Sequence, residues 1–225
     1  VFTYIIPVNN VTLGVLKMNV KETVRMHSRP TGEEGKEIGL KMNEHHFKLW
    51  GWGLNHVNVE PDSSILDIGC GGGRAVSILA ELAEKGSIYG IDHSQDMVDL
   101  ATEYNRKEVD LGRVAIMESS VSELPFPYDK FDLVTAFETC YFWPDLEEGL
   151  REIKRVLKKG GTLLIVNEMY DHELFTERNS PYNTAKGMNI YSAEEYRKAL
   201  ISAGFSAIEI DEVPEDNWIT VVAKK

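Results

Sequence analysis

The sequence predicts an α/β fold built on a doubly wound, mostly parallel sheet, and three observations lead there. From Ser64 onward, short apolar runs alternate with segments of helical period. The first run, Ile65-Leu66-Asp67-Ile68, stops in the glycine-dense turn Gly69-Cys70-Gly71-Gly72-Gly73 and resumes with helical spacing, the pattern of a strand feeding a helix. About one βαβ unit later, a second apolar run ends on an acid, Ile91-Asp92. At 225 residues the chain is long enough for one such domain with a full core and some decoration.

Residues 1–20 are β-rich in composition, and Met18 is an alternative start. Residues 21–34 are polar and carry Pro30 and Gly32, which suggests a mobile linker or lid. Ile38, Met42, His45, His46, Leu49 and Trp50 fall at roughly helical spacing, so one or two helices are expected in residues 36–56. Pro61-Asp62-Ser63 turns into the first core strand, Ser64–Ile68. A helix over 74–84 follows, with Val76, Leu79, Ala80 and Ala83 on one face and Gly86 ending it. The second strand is 87–91. Ser94 is expected to cap a helix over 95–105, with Asp96 in the first turn, where the helix dipole favours an acid.

The third strand is near Val114–Glu118 and the fourth is Phe131–Phe137. A helix opens at Asp145 with Leu146, Leu150, Ile153 and Leu157 as its buried stripe and its charged residues on a solvated face. Lys158-Lys159-Gly160-Gly161 reads as its end, with basic residues and then glycine. Residues 162–166 form the fifth strand, and 167–190 a long irregular insertion. Ser192-x-x-Glu195 is a capping box for a helix that Gly204 terminates. Residues 207–213 and 218–223 close the chain as a hairpin. Ligands in such sheets sit outside the carboxyl ends of the strands. Residues 69–73, Asp92, Ser120 and residues 137–143 all fall there.

Bulk properties exclude several classes. Lys and Arg number 24 against 36 Asp and Glu, a formal charge of -12, which argues against DNA or RNA as a partner. No window approaches the 18 or so apolar residues of a membrane span. Residues 1–20 lack the basic start and small-residue cleavage site of a signal peptide. Cys70 and Cys140 are too few for a disulfide framework or a zinc site, and they suit a reducing cytoplasm.

The glycines define the ligand. A dinucleotide fingerprint from Gly69 needs a third glycine where Arg74 stands, and no Gly-Lys-Ser/Thr follows for a phosphate loop. What remains is acid-x-Gly-x-Gly-x-Gly after one strand and an acid after the next. On these residues the chain resembles the class I S-adenosylmethionine-dependent methyltransferases, of the small-molecule type and similar to the type 11 methyltransferase domain. Leu66-Asp67-Ile68-Gly69-Cys70-Gly71-Gly72-Gly73 looks like their first motif and Gly90-Ile91-Asp92 like their ribose-binding strand end. Leu124-Pro125-Phe126, Phe131-Asp132-Leu133-Val134 and Leu157-Lys158-Lys159-Gly160-Gly161-Thr162-Leu163 continue the likeness, which runs from about Asn43 to the C-terminus.

The resemblance implies a Rossmann-like seven-stranded sheet with an antiparallel last strand, three αβα layers and an N-terminal helical cover. It divides the chain into an extension and cover, 1–56, and a cofactor-binding domain, 57–225. It also implies roles. Gly69 and Gly71 would let the backbone touch the methionine part of the cofactor, and Asp67 would face its ammonium directly or through water. Asp92 would bind the ribose hydroxyls, with His93 beside the adenine. Ser120 stands where relatives often carry an acid for the adenine amino group, and the backbone of Val121 could address the ring. Cys70, Met97 and Phe137 complete the expected cofactor contacts.

Each of these residues also has a plainer reading. The loop could be a tight turn, Asp92 a helix cap, Asp67 an orienting group and Cys70 a small buried filler. The catalytic candidates are His46 and Tyr141. Tyr141 lies in the run Glu138-Thr139-Cys140-Tyr141-Phe142-Trp143, whose aromatic rings could stabilise a sulfonium or merely cover the strand end. His46, ahead of His45 in rank, could border the active site or be an exposed helix histidine. Glu168, Tyr170 and His172 are secondary candidates.

The expected activity is methyl transfer from S-adenosylmethionine to a small molecule, leaving S-adenosylhomocysteine, with no metal. A cofactor-binding sensor or partner subunit, a propylamine transferase and a nicotinamide-dependent reductase remain as alternatives. Oligomeric state and acceptor atom are not legible.

Overall fold

The computed structural model describes residues 19–225 except Thr184 and Lys186. The expectations for an N-terminal β-rich stretch and for Met18 fall almost wholly outside the described residues. Three helices come first, α1 (Val20–Ser28), α2 (Gly32–His45) and α3 (Phe47–Leu54). They lead into β1 (Ser64–Ile68), α4 (Arg74–Leu82), β2 (Ser87–Asp92), α5 (Gln95–Tyr104), α6 (Arg106–Asp110) and β3 (Val114–Glu118). Then come β4 (Phe131–Phe137), α7 (Leu146–Val156), β5 (Leu157–Asn167), α8 (Thr176–Asn183), α9 (Ala193–Ser202), β6 (Ser206–Val213) and β7 (Trp218–Lys224).

The sheet has the order β3-β2-β1-β4-β5-β7-β6. All its neighbours pair in parallel except β7, which runs antiparallel to both β5 and β6. This is the expected architecture, and the sequence pattern explains it. Alternate residues of the central strands enter opposite layers, because side chains on a strand alternate in direction. Leu66, Ile68, Val134 and Ala136 join α7 and α9 in one core, while Ile65, Leu133 and Leu164 join α3, α4 and α5 in the other. With both faces covered, the strands read as near-continuous apolar runs. Among the described residues no helix is long and apolar enough to cross a membrane.

Several expectations are corrected. Residues 21–34 are not a loose linker: α1 is capped by Asn19, whose Oδ1 accepts the Glu22 N–H at 3.0 Å, and Pro30 and Gly32 make a corner into α2. The buried stripe of α2 is Gly35, Gly39 and Asn43, not its larger apolar residues. Small side chains let it lie close to α5, where Gly39 abuts Met97 and Leu100. Lys158-Lys159-Gly160-Gly161 does not end a helix. α7 stops at Val156, and the four residues bulge out of β5 between the pairs Phe131–Leu157 and Leu133–Thr162.

The polar face of α7 is only partly solvated. Arg155 donates to the Phe126 and Leu124 carbonyls at 2.6 and 2.8 Å, and Glu152 accepts the Leu124 N–H at 3.0 Å. The 167–190 insertion also gains order, since it contains α8. The capping box at Ser192 and Glu195 forms as expected.

Candidate functional site

The carboxyl ends of β1, β2, β4 and β5 lie side by side, and the expected site residues are distributed along that edge. At β1 the chain turns through Gly69 with φ at +68°, a conformation open to glycine. A Cβ there would also collide with Thr139 of the loop after β4. At Gly72 the reason is close approach instead. A Cβ would sit 2.7 Å from Asn43 Nδ2, because α2 lies directly on the loop. Asn43 clamps it by donating from Nδ2 to the Gly72 carbonyl at 3.0 Å and accepting the Arg74 N–H at 3.4 Å.

Asp92 ends β2 and ties it to this loop. Its Oδ2 accepts the Gly71 N–H at 3.0 Å and its Oδ1 the Ser94 N–H at 2.9 Å. The expected Ser94 cap is corrected here: Ser94 stands at the N-cap position of α5, but its hydroxyl donates to the Pro30 carbonyl and makes no capping bond. Burial raises the Asp92 pKa, against the pull of the Ser94 and Gly71 N–H groups.

Asp67 is buried on β1 and accepts from Thr135 Oγ1 at 2.7 Å. Burial pushes its pKa up to about 7, with Thr135 opposing and Asp92 assisting. A raised carboxyl pKa means the folded state holds a proton that the unfolded chain has lost. The associated stability is complete below about pH 4 and is lost as pH rises through about 7. Asn keeps the Thr135 acceptor without the charge. We therefore expect Asp67→Asn to raise the melting temperature of the cofactor-free protein by about 5 °C at pH 8. The gain shrinks as pH falls and vanishes only below about pH 4, which scanning calorimetry from pH 8 down to pH 4 will show.

The remaining expected cofactor contacts divide. His93 and Ser120 are exposed at the strand ends. Ser120 Oγ accepts the Ser122 N–H at 3.2 Å. Cys70 is buried, its backbone N–H donates to the Ile91 carbonyl at 2.9 Å, and its thiol packs on Gly90. Burial raises that thiol's pKa. Val121 points its side chain at Gly149 of α7, Met97 is covered by Gly39, and the Phe137 ring lies 6.0 Å from that of Trp50.

A second group of polar residues gathers where β4 and β5 end. Glu138, directly after β4, has φ at +57°, a strained value for a residue with a side chain. Its carboxylate is held from both sides, by the Tyr141 hydroxyl donating to Oε2 at 2.7 Å and the Glu168 N–H donating to Oε1. Glu168 Oε2 lies 3.6 Å from His46 Nε2, at the corner between α2 and α3. Burial raises the pKa of Glu138 and of Glu168 to about 7 and lowers that of His46, so the imidazole is neutral near pH 7.

Burial also raises the Tyr141 pKa, and its hydroxyl proton is held by Glu138. Arg178 of α8 is attracted to both carboxylates, yet its Nη2 is buried with no hydrogen-bond partner. Val24 of α1, Tyr141, Met169, Tyr182, Met188 and Ile190 pack into a small apolar cluster of their own beside this group.

The structure thus brings His46, Tyr141 and Glu168 together and leaves Tyr170 and His172 out. Tyr170 is buried in the α7–α9 core, and His172 accepts the Leu174 N–H at 3.3 Å. Sequence reasoning did not pick Glu138 as a site residue, although its place just after β4 was a usable signal. Asn43 was visible only as part of a quoted segment, and Arg178 carried no signal.

The family profile described as a methyltransferase domain matches residues 60–209. The chain belongs to the methyltransferase domain family. A sterol 24-C-methyltransferase of Neurospora crassa is 26% identical over 168 residues, 72% of this chain and 44% of that protein. A demethylmenaquinone methyltransferase of Listeria welshimeri is 34% identical over 112 residues, 49% of this chain and 47% of that protein. The chain therefore spans about half the length of the curated relatives it matches. A solved S-adenosylmethionine-dependent methyltransferase of Aquifex aeolicus shares the fold, with a TM-score of 0.68 at 24% identity. The likeness covers 84% of this chain and 97% of that one.

The methyltransferase domain has a cradle that suits S-adenosylmethionine. A Cβ built on Gly71 would meet only the Met42 methyl tip, at 3.8 Å, so the loop backbone is open to a ligand there. The Asp92 carboxylate has lone pairs left for two more donors after its two backbone bonds.

Proposed function

We propose that this domain transfers the methyl group of S-adenosylmethionine to a small-molecule acceptor. The observation that carries the reading is the gathering of His46, Glu138, Glu168 and Tyr141 at the ends of β4 and β5, next to the glycine loop and Asp92. Gly69, Gly71 and Asp67 would hold the methionine part of the cofactor, Asp92 the ribose, and His93, Ser120 and Val121 the adenine. The sulfonium already makes the methyl group electrophilic. The chain's own work is to align the acceptor and exclude water.

His46 is neutral near pH 7, because burial outweighs the Glu168 charge, and so offers a lone pair toward the acceptor. A positioned base of this kind contributes about 10²–10⁴-fold. Tyr141 keeps Glu138 in place. The described part of the N-terminal segment, residues 19–56, and the 167–190 insertion would form the cover, and residues 57–225 the cofactor-binding domain. The small apolar cluster built from α1 and that insertion suits a small acceptor better than a polymer, as does the charge of -12. The two buried free cysteines suit a reducing compartment such as the cytoplasm.

The test is release of S-adenosylhomocysteine from S-adenosylmethionine across a panel of phenols, quinols, hydroxy acids and amines. At least one acceptor is expected to turn over. His46→Ala is expected to lower kcat about 10²–10⁴-fold with little change in cofactor affinity. Tight cofactor binding with no turnover on any acceptor would favour a sensor or partner subunit instead.

A further inference from the structure

We propose that His46, Glu138 and Glu168 form a binding site for a divalent first-row transition-metal ion. The location at the acceptor end rests on the function proposed above; the site itself rests on geometry alone. One ligand atom from each residue lies within 4.8 Å of the other two, and the three come from the α2–α3 corner and the ends of β4 and β5. The 3.6 Å between His46 Nε2 and Glu168 Oε2 is too long for a hydrogen bond. It is close to the separation of about 3.4 Å expected for two tetrahedral ligands with bonds near 2.1 Å.

The supporting shell fits as well. Metal-ligating carboxylates are held by hydrogen bonds from behind, and Glu138 is held by the Tyr141 hydroxyl and the Glu168 N–H. Among the described residues no lysine or arginine lies within ion-pair distance of either carboxylate. Arg178 attracts them from a distance, but its Nη2 remains buried without a partner. Two partly buried carboxylates therefore lie together with no ion pair to a described lysine or arginine.

One imidazole nitrogen and two carboxylate oxygens suit manganese, iron, cobalt or zinc better than calcium. Three protein ligands leave coordination positions open, so the acceptor class this site selects is one with adjacent oxygen atoms that chelate the ion. This departs from the metal-free site expected from sequence. It also gives the His46 lone pair a ligand's role in the loaded protein.

Binding is read with MnCl2 alone, from the loss of the free Mn2+ paramagnetic resonance signal, on the whole chain without cofactor or acceptor. One site per chain is expected. His46→Ala and Glu168→Gln should each weaken it at least tenfold, and ZnCl2 should displace the manganese. The thermal shift with S-adenosylhomocysteine, measured on the same samples, shows that the variants are folded. Absence of a site in the wild type, or wild-type affinity in either variant, overturns the proposal. A retained S-adenosylhomocysteine shift beside either result leaves the cofactor reading standing; loss of that shift in the wild type strikes the cofactor reading.

Discussion

Asp92→Ala is expected to weaken S-adenosylhomocysteine binding at least a hundredfold in calorimetric titration. The carboxylate is the only acid at the end of β2, and it would take both ribose hydroxyls. A hydrogen bond to a charged group is worth about 1.5–3 kcal/mol, so losing two costs about 3–6 kcal/mol. The same change strips the Gly71 and Ser94 N–H groups of their acceptor, which loosens the loop that holds the methionine part. Asp92→Asn keeps one acceptor oxygen and should fall between the wild type and the alanine variant. Glu209→Ala, on the exposed edge strand β6, should bind as the wild type does. Because burial raises the Asp92 pKa, affinity should also fall as acid protonates it.

Gly69→Val is expected to destabilise the fold by about 3–5 kcal/mol, measured by urea unfolding. Two penalties add. The φ of +68° is strained for any residue with a Cβ and most of all for a β-branched one. The new side chain would also enter the space of Thr139. The two can be separated, because Thr139→Ala makes room without changing the backbone. In that background Gly69→Ala should cost only about 1 kcal/mol, the backbone part, and noticeably more when Thr139 is present. Equal costs in both backgrounds would mean that the contact with Thr139 carries none of the effect.

These predictions depend on parts of the molecule that were legible to different degrees. β1, β3 and β4 begin and end where the apolar runs begin and end, because both faces of the central sheet are covered and most of their positions are apolar. The glycine loop was legible because its requirement is largely negative: at Gly69, Gly72 and Gly73 no side chain fits. Pro30 and Gly32 misled because a helix–helix corner uses the same residues as a flexible linker; bonds to the start of α5, from the Ser94 hydroxyl to the Pro30 carbonyl and from the Gly32 N–H to Asp96 Oδ2, tell them apart. Residues 158–161 misled because basic residues followed by glycine fit a helix end and also a strand bulge. There, Lys158 bonds to Asp132 at 2.8 and 2.9 Å, which favours the bulge.

At the site, Asp67 and Asp92 could be read from their places at strand ends. The part that Glu138 plays could not, since it depends on a left-handed backbone and on donors from residues 141 and 168. Met97 shows the same limit from the other side: its packing against Gly39 of α2 was not readable from the linear pattern. Pairings over long sequence separations decide such cases, and a linear pattern does not carry them.

The central claim is that the cradle formed by the glycine loop and Asp92 binds S-adenosylmethionine. Any ligand specific to the native state raises its stability, by about 2.7 kcal/mol at a concentration one hundred times Kd. For a domain of this size that is a rise in Tm of about 5–10 °C. The direct measurement is a thermal melt with saturating S-adenosylmethionine or S-adenosylhomocysteine, beside NAD and ATP as controls. The account predicts a rise with the first two and not with the controls. No shift with either at saturation, or an equal shift with NAD, would contradict it.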